Sequence, residues 1–297
     1  MKANLFSSWQ RALPALLALA ALCSQPGFAP GLRGNPPAPY NLLYGVVRDK
    51  YGTPLTSTSA HIVLETPGGS VVSAAIMPGY APGVNYQLKV PMDSGDTPDL
   101  YQWNALVTSS PFKLYVVLNG VTNLPIEMTV SYATLGQPGK TARIDLTLGV
   151  DSNGDGIPDA WENAFLASLA AMGITPPLLS QLNPNGIYTA DGLTLRQQYL
   201  FGTYPFNPSQ PCLATLAGFK GGSPDLLFPT ITGRYYSVLA SADAEHWNTV
   251  SFYLPTDSQS GPARTYYYAP GVATAEVYVV PPANGVKTQF YRILVQE

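Results

Sequence analysis

Twelve consecutive residues, Asp151–Glu162 (DSNGDGIPDAWE), constrain this chain more than any other stretch. Four of the twelve are carboxylates, in a chain where charged residues make up only 11%. Left unanswered, charges this close repel one another, so the segment folds well only if something neutralises it. Its pattern matches D-x-[DN]-x-[DN]-G-x5-E at every position.

Oxygen geometry explains that spacing. Calcium takes six to eight hard oxygen ligands, and a 12-residue loop wraps it when alternate side chains point inward. Asp151, Asn153 and Asp155 are expected to supply the first three ligands and the Ile157 carbonyl the next. Asp159 would ligate directly or through water, and Glu162 would close the site with both oxygens. Gly156 falls where the loop turns most sharply, a conformation glycine adopts at least cost. Magnesium fits less well, because it demands a smaller octahedral shell and keeps its waters. A competing reading makes Asp159 and Glu162 a metal-free helix cap, with Asn153-Gly154 and Asp155-Gly156 as ordinary turns. It accounts for single residues but not for the set. Pro158 lacks the N–H through which such a loop pairs with a second one, and the residues before Asp151 look like a strand. An unpaired extracellular-type loop is therefore expected, with affinity of about 10⁻⁴ to 10⁻³ M.

The flanking sequence is β-like. Tyr40–Arg48, His61–Glu65, Val71–Ile76, Tyr86–Val90, Phe112–Leu118, Ile126–Tyr132 and Ala142–Leu148 are short apolar or alternating runs separated by Gly, Pro and Asp turns. They predict an N-terminal antiparallel β-sandwich over residues 40–149. Asp159–Met172 contains neither Gly nor Pro, and it sets Trp161, Phe165, Leu169 and Met172 on one helical face. Gly173 is suited to cap that helix, and Leu195–Phe201 predicts a second, with Thr194 and Gln197 at capping-box spacing and Gly202 at its end. Residues 150–210 would thus be a calcium-loop and helical joint. Tyr235–Ala240, Val250–Leu254, Arg264–Tyr268, Ala275–Val280 and Phe290–Val295 predict a second, smaller β-sandwich over residues 211–297. The expected fold class is mainly β, with a short α-helical segment between the two sandwiches.

The N-terminus suggests a compartment. Ala12–Leu22 (ALPALLALAAL) follows Lys2 and Arg11, and eleven apolar residues suit a signal peptide rather than a membrane span. Residues 1–29 are the expected signal and 30–39 a Pro-rich linker, giving a secreted or cell-surface protein with no transmembrane span in its mature form. Loss of Lys2 and Arg11 leaves 13 basic against 18 acidic residues, so nucleic acid is not an expected partner. Cys23 and Cys212 are the only cysteines, which excludes a disulfide framework in the mature chain.

No familiar catalytic pattern is present: neither H-E-x-x-H, C-x-x-C, G-x-S-x-G nor a phosphate-binding glycine loop occurs. His61 and His246 are the only histidines, and both read as surface or half-buried residues. A non-catalytic protein is expected, although a carboxylate pair assembled by the fold stays open as a hydrolase alternative. Tyr235-Tyr236 and Tyr266-Tyr267-Tyr268 open another alternative, a flat aromatic row for an extracellular polysaccharide or cell-surface component.

The loop also has an echo, since Asp191-Gly192-Leu193 through Gln198 aligns with Asp155-Gly156-Ile157 through Glu162. DSNGDGIPDAWE followed by DGLTLRQQYLFGT resembles the thrombospondin type 3-like and dockerin-like, EF-hand-type calcium repeats of secreted bacterial proteins. That resemblance implies Asp151, Asn153, Asp155, Asp159 and Glu162 as ligands of one Ca2+. Ile187, Thr189 and Gln198 depart from the second copy's acids, so one ion is expected. YGVVRDKYGTPL is similar to the opening of carboxypeptidase regulatory-like sandwiches, and GRYYSVLASADAEHW…FYRIL to a small C-terminal β module that often follows such repeats. The expected function is structural, with one Ca2+ bracing two β domains.

Overall fold

Alternating apolar residues punctuated by turn formers produce a mainly β structure with two α-helices among the described residues. The computed structural model describes residues 38–95, 100, 102–129, 135–202, 214–258, 260–281 and 290–297. The expected signal segment, most of the Pro-rich linker, Cys23 and Cys212 lie outside them.

The first strands are β1 (Ala38–Gly45), β2 (Val47–Arg48), β3 (His61–Thr66), β4 (Gly69–Ala75), β5 (Tyr86–Met92), β6 (Lys113–Leu118) and β7 (Val121–Asn123). β8 (Thr141–Arg143) and β9 (Leu146–Thr147) follow. One sheet has the order β4-β3-β6-β7, another β5-β1-β8, and β2 pairs with β9. Leu43, Tyr86, Leu88 and Leu146 join Ile62, Leu64, Leu114 and Val116 in a single buried cluster.

Two expectations are corrected. β1 pairs with β8, and β2 with β9, in parallel, so this region is mixed rather than purely antiparallel. β8 reaches β1 by a long connection, which removes the hairpin constraint that forces antiparallel pairing. Ile126–Thr129 forms a 3-10 turn, directly after Pro125, where the start of a strand over 126–132 was expected, and 130–132 lie outside the described residues. Its Ile126 and Met128 are buried, so their apolar character reflected burial rather than strand periodicity.

The helices lie where expected. α1 (Asp159–Ala171) buries Trp161, Phe165 and Leu169, one residue per turn on one face. Met172, expected on that face, is at the C-cap and 38% exposed. α2 (Leu195–Phe201) starts at Thr194, whose hydroxyl accepts the Gln197 N–H while the Gln197 side chain accepts the Thr194 N–H. Gly202 ends it at φ 63°.

The C-terminal strands are β10 (Thr215–Lys220), β11 (Ser223–Thr230), β12 (Tyr235–Ser241), β13 (Asn248–Val250), β14 (Phe252–Tyr253), β15 (Tyr267–Tyr268), β16 (Ala273–Val279) and β17 (Phe290–Gln296). They form sheets ordered β10-β11-β16-β14 and β13-β12-β15, with β17 also on β12. Leu226, Phe228, Tyr236, Val238, Phe252 and Val277 make up their shared cluster. The β10–β11 hairpin adds two strands to the five expected.

Candidate functional site

Leu146–Thr147 carries the chain out of the first β region and into the acidic loop. The loop closes on itself through Asp159 N–H, which donates to the Val150 carbonyl at 2.8 Å. Pro158, at φ −65° and ψ 135°, is the residue at which α1 begins. It supplies no side-chain cap, and Asp159 is the first helical residue, not the cap. Asp159 Oδ1 instead accepts the Ser152 N–H at 2.8 Å. The helix-cap reading of Asp159 and Glu162 is therefore overturned: these carboxylates face the loop.

The remaining predicted ligands also turn inward. Asp151 Oδ1 accepts the Gly154 N–H at 2.7 Å, and its Oδ2 accepts the Gly156 N–H at 2.9 Å. Asp155 Oδ1 accepts the Ile157 N–H at 2.9 Å. Asn153 Nδ2 reaches Glu162 Oε1 at 3.1 Å and Asp155 Oδ2 at 3.3 Å. Gly154 and Gly156 adopt φ 74° and 84°, which lets two backbone N–H groups point at Asp151.

Glu162 stands apart electrostatically. It is fully buried, and its Oε2 has no hydrogen-bond partner. Burial, followed by the negative charge of Asp155, pushes its carboxyl up to about 7, while the Asn153 amide pulls the other way. Burial also raises Asp155, with a further push from Asp151. Both shifts come first from burial and then from neighbouring carboxylates.

Among the described residues, no three His, Cys, Asp or Glu side chains stand in an arrangement that holds a metal. The loop's four acids do not form such a group in this arrangement; the donor set expected there also includes Asn153 and the Ile157 carbonyl. Its chemistry fits a hard cation on two observations, the orphaned Glu162 Oε2 and the mutual repulsion of Asp151, Asp155, Asp159 and Glu162.

The echo at 187–198 is structural as well as sequential, displaced by 36 residues (Asp155 to Asp191, Glu162 to Gln198). Leu195 N–H donates to the Gly186 carbonyl at 2.9 Å, as Asp159 does to Val150. Leu193 N–H donates to Asp191 Oδ1 at 3.0 Å, as Ile157 does to Asp155. Gly192 repeats the positive φ of Gly156, at 76°. The chemistry inside differs. Gln198, 1% exposed, donates from Nε2 to Thr189 Oγ1 and to both Asp191 oxygens. A single carboxylate is answered there by an amide.

The helices that follow the two loops share one core. Trp161 stacks on Phe165 (centroids 5.7 Å apart, 6° between planes) and meets the Tyr199 edge at 5.4 Å and 85°. Ile157, Leu169, Leu182 and Leu195 complete the cluster.

The C-terminal tyrosines do not form the flat row expected of a platform. Tyr235 meets Tyr266 at 68° and Tyr268 at 55° between planes, so its ring is coplanar with neither. Trp247 lies under Arg292, 4.3 Å from its ring centroid. His61 is exposed, and His246, 83% exposed, pairs with Asp243 at 2.8 Å. Sequence reading missed the ion cluster on β10, β11 and β16. Lys220 donates to the Tyr278 hydroxyl at 2.8 Å, Tyr278 donates to Glu276, and Asp225 lies beside them. Its members are separated by up to 58 residues in sequence, so only the strand register brings them together.

Compared with known proteins, the chain matches no family model, and no curated protein is significantly similar to it.

Proposed function

We propose that this is an exported, non-catalytic modular protein in which one Ca2+, held by Asp151–Glu162, braces a β-sandwich over residues 40–149 against a β-sandwich over residues 211–297. The observation that carries this reading is Glu162, a buried carboxylate with an unpartnered oxygen at the twelfth position of the loop. Asp151, Asn153, Asp155, the Ile157 carbonyl, Asp159 and Glu162 would hold the ion. The ion supplies positive charge and nothing reactive. The protein's own residues set the loop: Gly156 turns it, Pro158 launches α1, and Trp161 locks α1 to α2.

The paired sheets over single clusters support the sandwich assignments in both β regions. Export is supported by the apolar run at 12–22, and no helix among the described residues is long and apolar enough to cross a membrane. A polysaccharide or cell-surface partner goes with that setting.

Isothermal titration of the chelated mature chain with Ca2+ and with Mg2+ tests the proposal. One Ca2+ site is expected, absent from Asp155→Ala and not saturated by Mg2+ at the same concentration. A flat calcium titration would end it.

A further inference from the structure

Two adjoining cavities open beside the tyrosine cluster. The larger, about 760 Å³, is lined by Pro82, Asp257, Arg264, Tyr266, Tyr268 and Pro270 among others. The smaller, about 310 Å³, is lined by Tyr235, Ser237, Thr249 and Gln296 together with Tyr266. Thr265 and Tyr266 belong to both linings, so the two cavities share that boundary. These volumes fall within the ~300–1,000 Å³ common for small-molecule sites.

The aromatic wall is braced in advance. Tyr266 is 53% exposed, yet its ring rests against Tyr235 at 5.6 Å. Tyr235 in turn packs on Tyr268 at 5.0 Å and donates its hydroxyl to the Pro82 carbonyl at 2.9 Å. Gly83 makes this approach feasible, since any side chain there would collide with the Tyr235 ring. A ligand meeting this wall immobilises little that is not already held.

The opposite chemistry sits beside it. Arg264 grips Asp257 with two hydrogen bonds, Nε to Oδ2 at 2.6 Å and Nη2 to Oδ1 at 2.7 Å. Arg264 remains 47% exposed on its side chain, so the pair presents both donors and acceptors while its net charge is zero. Thr265 and Ser258 add hydroxyls to the lining.

We propose that this two-chambered cleft binds a single chain of a neutral polysaccharide. A pyranose ring has C–H faces that lie on an aromatic ring and an edge of hydroxyls that both donate and accept. Tyr266 and Tyr268 suit the first, and the Arg264–Asp257 pair with Thr265 suits the second. The Tyr235 ring is tilted 68° from Tyr266 and 55° from Tyr268, so the three rings do not make one flat face, and the recessed wall takes one chain. Uronic acids are disfavoured because Arg264, the cation of the lining, is already paired with Asp257, and Glu297 in the smaller chamber is paired with Arg234, which leaves no unpaired positive charge among the described lining residues for a carboxylate. A proline-rich peptide would also stack on tyrosines, but it brings carbonyl acceptors and no donors, so it makes only half of the hydrogen bonds that the Thr265 and Ser258 hydroxyls offer. This site is independent of the cation loop.

The test titrates the calcium-loaded mature chain with cellohexaose, mannohexaose, xylohexaose, hexagalacturonate and decaproline. Binding of at least one neutral hexasaccharide with Kd of about 1 mM or tighter is expected. Tyr266→Ala should weaken it about tenfold or more, and Trp103→Ala, which removes an 85%-exposed aromatic outside the cleft lining, should leave it unchanged. The proposal is overturned if no neutral oligosaccharide binds, if Tyr266→Ala binds as tightly as the parent, if Trp103→Ala weakens binding equally, or if hexagalacturonate or decaproline binds in preference. Asp155→Ala run alongside separates the two readings, since its loss of calcium leaves this titration to stand or fall alone.

Discussion

The loops at 151–162 and 187–198 share their closing bond and a glycine turn but have opposite interiors. Each closes with an N–H to carbonyl bond of 2.8–2.9 Å, turns at a glycine of positive φ and feeds a helix. The first gathers Asp151, Asp155, Asp159 and a buried Glu162. The second keeps only Asp191, which faces the Gln198 amide. An amide N–H offers a small positive charge that is always present, whereas the carboxylates of the first loop repel one another. The turn-helix shape therefore does not itself require a cation; the acidic side chains of the first loop are what a cation would neutralise.

Trp161→Ala is the largest blow to this pairing. Because Trp161 packs on both helices, the change should cost about 3–5 kcal/mol in calcium and in chelator alike. Denaturant unfolding checks it, and a loss seen in only one condition would mean the loops do not share a core. Calcium itself comes next. At about 100 times Kd it should add about 2.7 kcal/mol, raising Tm by several degrees, and Asp155→Ala should abolish the rise.

Exchanging the interiors sharpens the contrast further. Glu162→Gln should erase the calcium response and melt higher than the parent in chelator, because a neutral amide replaces a repelled carboxylate. Gln198→Glu should do the reverse, lowering stability in chelator by about 1–3 kcal/mol as Asp191 and Thr189 lose their donor. If Glu162→Gln melts lower than the parent in chelator, the electrostatic account of the first loop fails. Thr194→Ala removes the reciprocal cap of α2 and should cost about 1 kcal/mol, independent of calcium.

The smallest expected effect comes from Glu127, a half-buried carboxylate answered by the Thr147 N–H at 2.8 Å. Burial raises it above its usual 4.5, so the folded chain holds this proton more tightly than the unfolded one. Its contribution is therefore full below about 4.5 and declines as pH rises through the folded value. Glu127→Gln should flatten that part of the pH–stability curve, measured by thermal melts across acidic pH.

Much of this was legible in the residues. The helices were readable because Thr194, Gln197 and Gly202 mark ends with local chemistry, and Trp161, Phe165 and Leu169 mark a face with period 3.6. The β10–β11 hairpin was masked by Gly218, Pro224 and Pro229, which break up the apolar run. Yet its turn, Gly221-Gly222 at φ 59° and 88°, is a two-residue hairpin signal, as is Asn119-Gly120 at φ 51° and 78° between β6 and β7. The parallel pairing of β1 with β8 was not legible, because alternation specifies which face is buried and not which strand lies alongside. The tyrosine cleft was half legible. The sequence supplied the aromatics, but Pro82, Arg264 and Asp257 reach them only through the fold.

The parallel register bears on how the molecule would respond to tension. The chain enters β1 at Ala38 and leaves past Thr147, and β8 and β9 run in the same direction as β1 and β2. Pulling on those two points draws the paired strands past each other. The bonds Leu42 to Lys140, Ile144 to Tyr44, Leu146 to Val46 and Leu148 to Arg48, all 2.8–2.9 Å, are then loaded together in shear and do not peel one by one. An antiparallel pair pulled from adjacent ends would unzip. With one end held and the other dragged, this seam would be a clamp that gives way only as a whole, with the acidic loop next in sequence beyond it.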